Sequence, residues 1–412
     1  MHDTELYSQI LGIASPWFVE QVELDLVNEC VLVSLTYAAN TQWQCPMCHK
    51  SASLYDHRDP RQWRHLDSCQ LKTFLTARVP RVKCSEHGVQ TVDVTWSSPN
   101  SRFTHLFERL AIDFLRATKV QSQAARLLRL SSGQIHDLMK RSVVRGLARR
   151  DKKTMHDHLS LDEKSFHKGH KYISILSDPL SKSILEVVEG RDKVAVQSLL
   201  EESLTQNQRV MVQSVSMDMW PAYMSCREAV LPQADTVHDR FHITAYLNTA
   251  VDMTRRTEHR QLEKKNDKRL SRSKYLWLRS PENMTQSQQA AFECLKGLEF
   301  ETAKVWAFKE NFRQFFACHT EYGANSFFNN WYEAALYIQN PHLTKVAEML
   351  KKHLAGLLAF TRHHVTNGTA EGFNSQIQLI KANARGYRKF ENFRVAILFF
   401  LGKLELYPHK NP

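Results

Sequence analysis

The chain has 412 residues, 42% of them hydrophobic, enough to bury substantial cores and to suggest two or three domains rather than a disordered polymer. With 55 Lys+Arg against 43 Asp+Glu, a formal charge of +12 and a pI near 9.3, it favours a polyanionic partner, nucleic acid first and an anionic membrane surface second. Eight cysteines are too sparse for a disulfide scaffold. There is no apolar run of about 18 residues and no charged n-region followed by a long apolar stretch, so the expectation is a cytoplasmic protein without membrane spans.

Residues 22–36, VELDLVNECVLVSLT, alternate apolar and polar side chains and predict strands. CPMCHK, the extended LKTFLTARVPRVKC and SEHGV follow, and together predict a small β-rich unit over residues 1–100. Cys45 and Cys48 form one C-x2-C knuckle and Cys84 and His87 a C-x2-H knuckle, with thirty-five residues between Cys48 and Cys84. Two such knuckles can close a tetrahedral structural zinc site, whose four protein ligands leave no open position for catalysis. Its purpose is to stabilise a unit too small to fold unaided. The competing readings are a redox CxxC pair, an ordinary buried Cys84, or ligation by Cys69, His49 or His65.

From about residue 101 to 153 the periodicity is helical. VQSQAARLLRLSSGQIHDLMKRSV sets Ala124, Ala125 and Leu128 on one short helix, breaks at LSSG, and sets Ile135, Leu138 and Met139 on a second, with Ser131 or Ser132 as N-cap. In this helix-turn-helix, Gln134, Asp137, Lys140 and Arg141 are left outside, where they can meet base edges or phosphates. An ordinary helical hairpin is the competing reading, and the basic flank RSVVRGLARRDKK favours DNA.

Strands return after residue 154. HLSLDEKS, KYISILSD and KSILEVVEG read as three hairpin-like strands, DKVAVQSLLEESL as a helix, RVMVQSVSMDMW as a buried strand, and ADTVHDRFHI as a strand running into a helix. These predict a mixed α/β sheet over residues 154–244. Residues 245–365 are almost wholly helical and polar-basic, with a capping box at Thr285–Gln288. The run from Arg255 and Arg256 to Lys274 is a candidate DNA-contacting arm, against the default of a solvated charged face. Trp277, Trp306 and Trp331 read as core, and so does Trp220.

TNGTAEGFNSQIQLIKANARGYRKF, residues 366–390, begins the last segment, 366–412. Phe373, Ile377 and Ile380 make its inward stripe, while Glu371, Asn374, Gln378 and Lys381 share another face. Asp162 and Asp218 each stand where an apolar strand emerges, a costly place for a charge unless a cation neutralises it. If the first and fourth strands are neighbours, these two acids lie side by side and the Glu371 helix can pack across them. Three carboxylates in a basic protein would hold two Mg2+ or Mn2+ ions for in-line phosphoryl transfer on DNA, with Lys381 and Arg385 among the groups that hold phosphates. Among rival acids, Asp178 precedes Pro179 in a turn signature and Asp192 looks like a helix start. Glu163 points to the opposite strand face. Asp235 is a further strand acid, and Asp239 can pair with Arg240 or orient a neighbour.

CPMC, RQWRHLD, ARVPRVKCSEHG, QSQAARLLRLS, SLDEKSFHKGHKY, SMDMWPAY, VHDRFH and NGTAEGFNSQIQLIKANARGYRKFENFR, in that order, together resemble the bacterial insertion-sequence transposases of the ISL-three family, over essentially the whole chain. The resemblance implies a DDE transposase with an RNase H-like catalytic fold, an N-terminal zinc finger, a helix-turn-helix for terminal inverted repeats, and a helical insertion before the last acid. Matched residue by residue, the triad falls on Asp162, Asp218 and Glu371. His87 stands where many zinc ribbons carry Cys. The implied activity is two-metal strand cleavage and strand transfer on double-stranded DNA by a homo-oligomer. The alternatives are a zinc and helix-turn-helix regulator whose acids are structural, and a metal-dependent nuclease without strand transfer.

Overall fold

The computed structural model describes residues 2–167, 171–364 and 368–408. The chain divides into two compact units. One holds the residues up to Arg150 with Ile380–Gly386 and the segment from Leu404; the other holds Asp151–Leu379 and Tyr387–Lys403.

The first unit opens with helix α1 (Asp3–Leu11) and strands β1 (Trp17–Asp25), β2 (Cys30–Tyr37), β3 (Trp43–Gln44), β4 (Ser51–His57), β5 (Arg61–Arg64), β6 (Lys72–Ala77), β7 (Pro80–Cys84) and β8 (Gly88–Thr91). They form two sheets, ordered β1-β2-β6-β5 and β3-β4-β7-β8. Alternation along β2 and β6 sends Val33, Leu35, Leu75 and Ala77 into a core with Trp17, Trp63, Val82 and Trp96. Trp17 and Trp63 both meet Trp96 edge-on, with centroids 5.0 and 5.5 Å apart.

Helices α2 (His105–Thr118), α3 (Gln121–Leu127) and α4 (Ser132–Ala148) follow. Ala124, Ala125, Leu128, Ile135, Leu138 and Met139 are all buried, as their spacing predicts. Ser131 is the N-cap of α4, and its capping box is closed by Gln134. The fully buried Glu108 is held by Arg141 (3.1 Å), Arg145 (2.6 Å) and the Ser101 hydroxyl (2.8 Å), so a buried charge is matched on every side.

The second unit is built on a mixed sheet of β9 (His158–His167), β10 (Lys171–Asp178), β11 (Ser183–Glu189), β12 (Ser214–Met217) and β13 (Asp235–His238). Its order is β11-β10-β9-β12-β13, antiparallel across the first three strands and parallel across β9, β12 and β13, which is an RNase H-like arrangement. Helices α5 (Lys193–Ser203), α6 (Gln206–Met211) and α7 (Pro221–Val230) connect the strands. Leu159, Leu161, Leu176, Leu199, Val215, Met217 and Tyr223 form one core between sheet and helices. The strand expected over RVMVQSVSM is shorter than its apolar pattern suggests. Thr205 and Gln208 form a capping box that starts α6, so only Ser214–Met217 remains extended.

A long helix α8 (Arg240–Glu263) leads into α9 (Lys274–Leu278), α10 (Gln286–Lys296), α11 (Glu301–Phe312), α12 (Glu321–Tyr337), α13 (Pro341–Lys352) and α14 (Leu354–His363). Their shared core contains Trp277, Trp306 and Trp331, as expected, and the Thr285–Gln288 capping box starts α10. The chain then forms α15 (Gly368–Asn383) and α16 (Phe390–Leu401), which packs on β11 and stacks Phe393 on Phe166.

Candidate active site and zinc centre

The parallel register between β9 and β12 decides where the two aspartates stand. Ser214, Val215 and Ser216 pair with His158, Leu159 and Ser160, so two residues further on Asp218 comes beside Asp162. Asp162 is half-buried, and its Oδ1 accepts the Glu163 N–H at 2.7 Å while its Oδ2 accepts the Asn374 side-chain amide at 2.6 Å. Burial raises its carboxyl above the ordinary aspartate range and nearby Asp239 adds to the rise; the Glu163 N–H, His242 and Asn374 offset it in part.

Asp218 is held by its neighbours. Its Oδ1 accepts the Met219 N–H at 2.7 Å and the Tyr246 hydroxyl at 3.3 Å. The His242 ring lies 3.7 Å from Asp218 and 3.9 Å from Asp239, whose carboxylate also accepts the Phe241 N–H as N-cap of α8. Burial, reinforced by the Asp218 charge, pushes the Tyr246 hydroxyl up to about 12, so it stays a donor.

Glu371 lies exposed in the first turn of α15. It stands one turn before Asn374, on the face that meets Asp162. Phe373, Ile377 and Ile380 are buried on the opposite stripe, as the periodicity predicts. Among the described residues, the three carboxylates do not draw together into a closed cluster as the three cysteines and His87 do. Their donor atoms are nonetheless all hard carboxylate oxygens, the kind Mg2+ and Mn2+ take.

The rival acids are occupied elsewhere. Asp178 accepts the N–H groups of Leu180 and Ser181 and bonds His156 at 2.8 Å, so it is a turn residue. Asp192 caps α5 through Ala195, and Asp235 bonds His363 at 2.8 Å. Glu163 receives Arg191 at 2.8 and 3.0 Å.

The Arg191 guanidinium lies between two rings, 3.9 Å from the Tyr172 centroid and 4.4 Å from that of Trp220. Trp220 is 38% exposed, so its reading as a core aromatic is corrected. It closes a surface stack two residues beyond Asp218, with its Nε1 donating to the Arg191 carbonyl at 3.3 Å.

Cys45, Cys48, Cys84 and His87 do form a closed cluster, with all donor atoms within 4.8 Å of one another. Cys48 Sγ lies 3.7 Å from Cys84 Sγ, and His87 Nδ1 lies 3.8 and 3.7 Å from the Cys45 and Cys84 sulfurs. Those separations fit the edges of a tetrahedron around zinc, where Zn–S bonds of about 2.3 Å put sulfurs roughly 3.8 Å apart. The Glu86 and His87 N–H groups, followed by the His87 ring, draw the Cys84 thiol down to about 6, toward the thiolate that a metal needs. The competing ligands stand apart: Cys69 is exposed and buried His65 bonds the Thr104 hydroxyl at 2.9 Å.

The residues expected to contact DNA divide by exposure. Gln134, Lys140, Arg256 and Arg385 are exposed, although the Gln134 carbonyl is engaged in the α4 cap and Arg256 pairs with Asp252 at 2.8 Å. Lys381 is half-buried. Arg141 does not face outward as expected, because buried Glu108 draws it onto α2. Arg255 is 8% exposed and bonded to Asp252 at 2.8 Å, so its guanidinium is already matched in the helical core. The basic run covers the end of α8, which stops at Glu263, and reaches the start of α9 at Lys274.

Sequence reasoning left Tyr246, His242 and the Arg191 stack unassigned. VHDRFH carried a signal for His242, whereas nothing in its local pattern marks Tyr246.

Asp218 stands just past the end of β12 as expected, but Asp162 lies within β9, paired with Ile175 of β10, rather than where the strand emerges. A chain that combines a four-donor zinc ribbon with an RNase H-like sheet bearing acids on these two neighbouring strands has the build of an insertion-sequence transposase. A transposase family model of the ISL3 type matches residues 159–397, and the model for the zinc-finger of the transposases IS204/IS1001/IS1096/IS1165 matches residues 41–87. The chain belongs to this ISL3 (ISL-three) family of transposases. It is 26% identical over 357 residues to the transposase for insertion sequence element IS1001 of Bordetella parapertussis, covering 86% of this chain and 87% of that protein. It is 24% identical over 418 aligned positions to the transposase for IS1557 of Mycobacterium tuberculosis, in strains CDC 1551/Oshkosh and H37Rv, covering 94% and 93%.

Proposed function

We propose that this transposase binds the terminal inverted repeats of its element and cuts and joins DNA with Asp162, Asp218 and Glu371 as its acidic triad. The observation that carries the reading is the Asn374–Asp162 hydrogen bond of 2.6 Å, which ties the Glu371 helix to the strand beside β12, the strand that Asp218 follows. Two Mg2+ or Mn2+ ions, when bound there, supply activation of a water or 3′-hydroxyl nucleophile and stabilisation of the leaving 3′-oxygen. Asp162 and Asp218 offer the fixed oxygens, each oriented by a backbone N–H and a side-chain donor. Glu371 supplies the last carboxylate from an exposed helix start, where it can adjust.

The proposed domain layout follows the same division of labour: residues 1–100 hold a structural zinc on Cys45, Cys48, Cys84 and His87, and 101–153 carry the helix-turn-helix. Residues 154–244 with 366–412 form the catalytic domain, and 245–365 the helical insertion. Synapsis of two ends calls for a homo-oligomer. The test is Asp162→Asn: terminal-repeat binding is retained and Mg2+-dependent nicking lost. A variant that still nicks overturns the triad, and a wild type that joins no pre-cut end to a plasmid target is a nuclease instead.

A further inference from the structure

In the first unit, β4 crosses into β5 over a cleft of about 1000 Å3 whose lining includes Arg58, Asp59, Arg61, Arg81, Asp93 and Arg102. The cleft lies at the end of the β4–β7 pair away from the cysteine knuckles, since His57 pairs with Pro80 whereas Ser53 pairs with Lys83 next to Cys84. Pro60 and Pro99 stand on the lining, and Arg61 is anchored by a 2.5 Å bond to the Ser101 carbonyl and by the Trp63 ring at 5.0 Å.

The charge is unbalanced there. Arg81 is matched by Asp56, but Arg58, Arg61 and Arg102 have no ion pair among the described residues. Burial, then the positive charges of Arg58 and Arg102, depress the Arg61 guanidinium. The lining holds four arginines against two aspartates, Asp59 and Asp93, so its net charge is positive, and a phosphate-bearing polyanion relieves the repulsion among Arg58, Arg61 and Arg102 where a neutral ligand does not.

We propose that this arginine cleft is a second DNA-contacting surface, separate from the helix-turn-helix, which grips the duplex backbone through Arg58 and Arg102 irrespective of sequence. The inference rests on the DNA-binding reading above. Phosphate contacts position a protein on duplex without reading bases, and each contributes about 0.9 to the slope of log K against log salt.

The experiment is fluorescence anisotropy of the full-length protein with one duplex carrying an element end and one of scrambled sequence, from about 0.05 to 0.2 M salt. Arg58→Ala/Arg102→Ala is expected to weaken both duplexes alike and to flatten the salt slope by roughly 2, so the salt step costs wild type roughly tenfold more affinity than the variant. Arg58→Lys/Arg102→Lys should keep the slope, and Arg81→Ala should leave it unchanged. An unaltered slope and affinity in the double alanine variant, with wild type binding well, overturns the cleft alone. Wild type that binds neither duplex overturns the DNA-binding reading and the cleft with it.

Discussion

Asp162 is a carboxylate that burial pushes toward protonation and that Asn374 pulls back. Asn374 is therefore a positioning residue. Replacing it with Ala should lower the nicking rate by about tenfold or more with end binding unchanged, and should move the acid limb of the pH–rate profile to higher pH, because a donor that favours the ionised form is gone. A profile that keeps its shape would remove Asn374 from the site. Two histidines make a stability prediction. Burial above all depresses His65 and His238 to about 4, and Arg64 and His353 respectively add to the shift. Both are neutral above the unfolded value of about 6.5, where stability is full. As pH falls from there toward 4 the unfolded chain takes up protons first, and each histidine costs up to roughly 3 kcal/mol. The apparent melting temperature should drop across that window, and drop less steeply in His65→Gln, as differential scanning calorimetry would record.

Caps and close approaches set the elements. Ser131 accepts the Gln134 N–H at the start of α4, so Ser131→Ala should destabilise the helix-turn-helix by about 1 kcal/mol, seen as faster amide exchange in α4. Gly356 in α14 lies so close to β13 that an added Cβ would sit 2.4 Å from His238 Cδ2, and a buried ring with no open side cannot step back. Gly356→Ala should therefore cost about 1–3 kcal/mol in thermal stability, with no loss in Gly372→Ala, where no atom stands within 4 Å. Periodicity made α3, α4 and the inward stripe of α15 legible, since burial there follows local spacing. It overextended the strand before Asp218, because the apolar side chains of α6 suit either state and the capping box decides. It also left Arg141 and Arg255 free, because their partners Glu108 and Asp252 were not read against them.

At the scale of the whole molecule, a chain of +12 net charge carries an arginine-lined cleft in its first unit and the Asp162 and Asp218 carboxylates in its second. The cysteine cluster bears on whether the first unit folds. Cys45→Ser should reduce bound zinc, counted by elemental analysis, and lower the melting temperature; full stability without metal would leave the cluster a redox or packing feature. Knuckle spacing, strand alternation and helix stripes are local patterns, so the cysteine and histidine cluster and the strand succession could be read from the chain itself, while the candidate triad came with the family resemblance. Adjacency is another matter. That β12 lies beside β9 in a register bringing Asp218 to Asp162, that Asn374 reaches across some two hundred residues to the same carboxylate, and that Trp220 stacks on Arg191 at the surface all depend on contacts between distant segments. Such contacts are chosen by the packing of the whole core, which no local period encodes.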